Sequence, residues 1–176
     1  MILSKPHLFN IMVIVFWGML TPVTAWGQGV GGQAEMDRLE EQAQNLAAQN
    51  DPEGAALAIG KAAMMADLLT EDTKEPQTKN LYQAAAYHYR GQEFGLRALA
   101  LFNRAGGQAP AAPGVCQFLV QGHKKLEQAR MLFEENASIP HEEGQIRQHM
   151  LLENNKEWKD MLQDLHDDFA CDLAAE

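Results

Sequence analysis

From residue 26 to residue 176 the chain never alternates apolar and polar residues over a run of positions, and Val, Ile and Thr are sparse. Ala, Leu, Gln, Glu and Met dominate instead, all strong helix formers, so the expected fold is all-α. A chain of 176 residues has room for one such domain, expected over 35–176.

Caps and breakers divide the helical pattern. A first helix is expected from Glu35 to Gln49, with Met36, Leu39, Ala43 and Leu46 on one face, after a flexible lead-in over 26–34. Asn50-Asp51-Pro52 ends it and starts the next: Asp51 is a good N-cap and Pro52 suits the first helical position, giving a helix to about Leu69. A polar loop follows over Thr70 to Thr78. Gly91 is expected to close a third helix that begins at Asn80, and Gly106-Gly107 a fourth that begins at Glu93. After a connector with Pro110 and Pro113, a fifth helix is expected over Val115 to Glu135, loosened at Gly122. A last one runs from about His141 to Cys171, with Trp158, Leu162, Leu165 and Phe169 on one stripe and charge elsewhere.

Residues 1–25 have another character. Lys5 precedes an apolar run from Leu8 to Leu20, and Val23 and Ala25 supply the small residues of a cleavage site, the layout of a secretory signal peptide. Cleavage before Trp26 is expected, and retention as an anchor is the other reading. The expected location is therefore periplasmic or secreted, with no stable membrane span once the signal is removed. The remaining chain is acidic, but unevenly so. Residues 26–89 hold four basic and ten acidic side chains, 90–130 six and two, and 131–176 three and twelve. Such a balance argues against a nucleic-acid partner.

One stretch has internal detail. Tyr82, Ala85, Ala86 and Tyr89, followed by Ala98, Phe102, Ala105 and Pro110, occupy the slots of the tetratricopeptide pattern, so the segment Asn80 to Pro110 resembles one tetratricopeptide repeat (TPR). Ala85 and Ala86 depart from the Leu and Gly of that pattern. Ala129 and Phe133 repeat its A-x3-F pair 31 residues later with Pro140 following, and Leu39, Leu46, Ala55, Ile59 and Ala62 follow its internal spacings. The resemblance implies antiparallel helix hairpins in a short TPR-like array with a C-terminal packing helix. It also implies a protein or peptide partner in a groove lined by Gln83, Tyr87 and Arg90.

Catalytic motifs are missing: the chain has no G-x-S-x-G, P-loop, Rossmann glycine pattern or C-x-x-C-H. His88, His123, His141, His149 and His166 are scattered over the third, fifth and last expected helices and read as solvated surface residues, and the methionines read as apolar filler. Neither enzymatic activity, nor a metal site, nor a cofactor is expected.

Cys116 and Cys171 are the only cysteines. In an oxidising compartment an even pair points to one disulfide, with two buried free thiols as the other arrangement a helical core accepts. The basic stretch contributes Arg97 and Arg104, seven apart and so on one helix face. They are expected either to clamp the last helix through Glu157, Asp160, Asp164 and Asp168, or to bind an acidic segment of a partner. The functional expectation is an exported TPR-like adaptor or scaffold. The alternative is a compact helical-bundle stress or metal-buffering protein of the periplasm.

Overall fold

The computed structural model describes residues 29–136, Ile139 and 141–172, so the signal segment expected over 1–25 lies outside the described residues. Five helices make up the fold, with no strand among the described residues: α1 (Gly29–Ala48), α2 (Pro52–Asp72), α3 (Pro76–Arg104), α4 (Pro113–Glu135) and α5 (Glu142–Asp168). The α1–α2 junction follows its local chemistry. Asn50 takes a left-handed φ of 61° beyond the end of α1, and the Asp51 carboxylate accepts a hydrogen bond from Gly54 N at 2.9 Å as N-cap of α2.

Three expected boundaries are corrected. Helix α1 starts at Gly29, so most of the expected lead-in is helical, and Gly32 serves as a packing position against Leu69. The loop expected over 70–78 contracts to residues 73–75. Most consequentially, no turn forms at Gly91. The chain passes through it as one 29-residue helix, so the two separate helices expected over 80–105 are one. The reason is packing: Gly91 and Gly122 face each other where α3 crosses α4. A Cβ on Gly91 would lie 2.5 Å from Leu126 Cγ and 3.1 Å from Gly122 O, and one on Gly122 would lie 3.0 Å from Gly91 O. Both glycines are buried inside uninterrupted helices, so the loosening expected at Gly122 is absent as well.

A consequence can be measured. Gly91→Ala gains roughly 1 kcal/mol of helix propensity at an interior position. Overpacking against a backbone oxygen costs about 1–3 kcal/mol. The variant is expected to be less stable in urea unfolding, and a more stable one would show that the crossing can relax.

Cross-helix contacts fix the directions. Arg90 pairs with Asp67 and Arg104 with Glu53, so α2 and α3 run antiparallel; Tyr87 meets Lys125 and Phe94 meets Phe118, so α3 and α4 do too. Tyr82 bonds Gln33 and Tyr89 bonds Glu40, which sets α1 parallel to α3. Short connectors between neighbours produce this up-and-down order. The result is an array of antiparallel hairpins, α1 to α4, with α5 packed on α4 and α3.

Two apolar clusters hold it. One joins α1, α2 and α3 through Met36, Ile59, an alanine-rich set that includes Ala62, Ala66 and Ala85, and Phe133 of α4. The other surrounds the C-terminal end of α5 with Val115, Leu119, Leu126, Leu162 and Phe169. Here the expected bridge exists: Cys116 and Cys171 form a disulfide across 55 residues of chain. Beside it Phe169 stacks on Phe102 with ring centroids 3.7 Å apart, and Ala111 N donates to Phe169 O at 2.8 Å.

Candidate functional site

The continuity of α3 changes the meaning of the candidate residues. Gln83, Tyr87, Arg90, Arg97 and Arg104 were expected on two helices of a hairpin. On one α-helix their spacings of four, three, seven and seven put them in a single line, together with Phe94 and Leu101. At 1.5 Å per residue that line is roughly 30 Å long. It faces outward between α2 and α4, with Arg97 and Arg104 exposed and the others half-buried.

At its C-terminal half the line floors an open groove of about 230 Å³. Ala56 and Leu57 of α2, Leu101 of α3 and Phe118 of α4 supply apolar surface, with Glu53, Arg97 and Arg104 around them. Leu57 is 59% exposed, and Met64 and Leu68 continue the uncovered apolar surface along α2. At the other end, Lys125 Nζ stands 4.7 Å from the centre of the Tyr87 ring, a cation–π contact across α3 and α4.

The arginines do not clamp α5. Arg90 pairs with Asp67 at 2.7 Å, Arg97 with Glu93 at 2.6 Å and Arg104 with Glu53 at 2.7 Å. Arg130 pairs with Glu127 and Glu134 on its own helix. Glu157, Asp160, Asp164 and Asp168 make no ion pair among the described residues, which corrects the expected clamp. The sign is in fact reversed: α5 contributes a cation, Lys159, to Glu127 of α4 at 2.6 Å. Hydrogen bonds from Arg130 and Lys159 hold the Glu127 carboxyl down to about 2.

Two polar clusters inside the fold were not anticipated. His88, expected at the surface, is fully buried where α3 meets α5. Asn155 donates through Nδ2 to Leu126 O at 3.0 Å, which turns its Oδ1 towards His88 Nδ1 at 3.1 Å. His88 Nε2 in turn lies 3.0 Å from Asn154 Oδ1 and 2.7 Å from Gln92 Nε2. The same Gln92 nitrogen donates to Asn154 Oδ1 at 2.9 Å. Burial pushes His88 down to about 4, only partly offset by the Asn155 and Asn154 oxygens, so the ring is neutral at pH 7.

The second cluster joins α1, α3 and α5. Tyr89 donates to Glu40 Oε2 at 2.7 Å, and Arg147 of α5 reaches over to Asp37 of α1. Burial raises the Glu40 carboxyl and pushes the Tyr89 hydroxyl well above its ordinary value. For Arg147 burial acts downward, but the hydrogen bond to Asp37 and the surrounding negative charge leave the guanidinium above its ordinary value.

Among the described residues no group of three His, Cys, Asp or Glu side chains is placed to hold a metal ion, and no helix is long and apolar enough to cross a membrane. No family model matches the chain, and neither a curated protein nor a solved structure matches it.

Proposed function

We propose that the protein is an exported TPR-like adaptor, without enzymatic activity of its own, that binds another protein or peptide along the outward line of α3. The observation that carries this reading is the alignment of Gln83, Tyr87, Arg90, Arg97 and Arg104 on one face, over an uncovered apolar groove. Aromatic and arginine side chains around apolar surface are the composition of binding hot spots. Arg104 is held by the exposed Glu53 of α2, in a pair that contributes only about 0–1 kcal/mol. A carboxylate of a bound peptide therefore replaces Glu53 at little cost and gains the planar fork of arginine. The layout of residues 1–25 and the disulfide both suit export to an oxidising compartment.

Charge reversal tests the reading. The double variant Arg97→Glu, Arg104→Glu is expected to lose capture of the native partner from the envelope fraction while its thermal midpoint stays within a few degrees of wild type. Undiminished capture of the same partner removes the α3 line from the mechanism.

A further inference from the structure

The seam between α4 and α5 holds a second groove, of about 200 Å³, lined by one histidine from each helix. Leu119 and Leu162 lie beneath it, and His123, Gln163 and His166 are among its walls. The register explains the meeting. Leu162 seats in the notch of Gly122, its Cδ1 2.8 Å from where a Cβ there would stand. His123 is the next residue on α4, and His166 follows Leu162 by one turn of α5. Both rings are therefore anchored within a turn of the same tight contact, and neither requires a loop to move.

Asp167 Oδ1 lies 3.8 Å from His166 Nδ1, beyond hydrogen-bond reach, and accepts a hydrogen bond from Gln163 Nε2 at 3.0 Å. We propose that His123 and His166 form a two-histidine site for a divalent transition-metal ion of the zinc class, bridging α4 and α5. Imidazole nitrogen selects Zn²⁺ or Cu²⁺ over Mg²⁺ and Ca²⁺, which require oxygen cages. Gln163 Oε1 and water complete the coordination, so the site is open, unlike a closed four-ligand structural zinc site. Residues 131–176, with three basic and twelve acidic side chains, concentrate cations at this end of the molecule.

The inference is independent of peptide binding on α3, because α4 and α5 present the groove on their own seam. Zn²⁺ alone is the probe, titrated calorimetrically into the purified, oxidised protein. One equivalent is expected to bind and to raise the thermal midpoint, since the ion ties two helices together. His123→Ala and His166→Ala are each expected to weaken binding by roughly tenfold or more, the scale of losses seen when metal-site residues are removed. His149→Ala, an exposed histidine elsewhere on α5, is expected to bind like wild type. Three results overturn the proposal: no binding by wild type at millimolar Zn²⁺, undiminished binding by the His123→Ala, His166→Ala double variant, or an equal loss on His149→Ala.

Discussion

Cys116→Ala, Cys171→Ala is expected to lower the unfolding free energy by about 4 kcal/mol, the loop-entropy value for a 55-residue separation. In a domain of this size that corresponds to a fall in thermal midpoint of roughly 10 °C. The bridge closes a loop that contains nearly all of α4 and the whole of α5, and so restricts the unfolded chain far more than a local staple does. Wild-type protein unfolded with a reducing agent should show the same loss, and the double alanine variant should be indifferent to it. A loss under about 1 kcal/mol would mean that Phe169 on Phe102 and the Ala111–Phe169 hydrogen bond hold the C-terminal segment unaided.

The second large effect is on pH. His88 is neutral in the folded protein down to about 4, whereas in the unfolded chain it titrates near 6.5. Between these values the unfolded state binds the additional proton, so stability is fully present above pH 6.5 and is lost as the pH falls towards 4. The expected loss between pH 7 and pH 4 is about 3 kcal/mol. Glu40 works in the opposite sense, because burial raises its carboxyl and folding then favours its protonated form as the pH falls. Comparison with His88→Gln cancels Glu40, which both proteins keep. Urea unfolding at pH 7 and pH 4 should show the wild type losing about 3 kcal/mol more than the variant. Equal losses would place a charged, solvated imidazole in the folded state.

Local chemistry was the legible part of this molecule. The all-helical class followed from residue types, and the α1–α2 junction from Asp51 and Pro52, whose effects act within one turn. The disulfide followed from an even pair of cysteines and the expectation of an oxidising compartment. Gly91 was illegible because the same residue ends a helix in one setting and lets two helices touch in another. The deciding partner, Gly122, lies 31 residues further on. His88 was misplaced for a similar reason, since Asn154 and Asn155 are 66 and 67 residues away. His123 and His166 looked scattered until α5 folded back antiparallel to α4. The arginines show the converse. Glu93 stood four residues before Arg97 in plain view, yet the expectation favoured a distant acidic helix over the neighbour one turn away.

The position of the second thiol has a bearing on how the molecule matures. Cys171 follows all five helices in the chain, and synthesis runs from the N-terminus, so Cys116 is made before its partner. Helices α1 to α4 meet through successive neighbours, contacts that form early because little chain has to be closed. In the folded protein the sulfurs meet where α5 lays Leu162 against Gly95 and Gly122 and Asn155 against Leu126 O. The bridge thus reports a docked final helix: with α5 undocked, the thiols meet only by closing a loop of 55 residues of free chain.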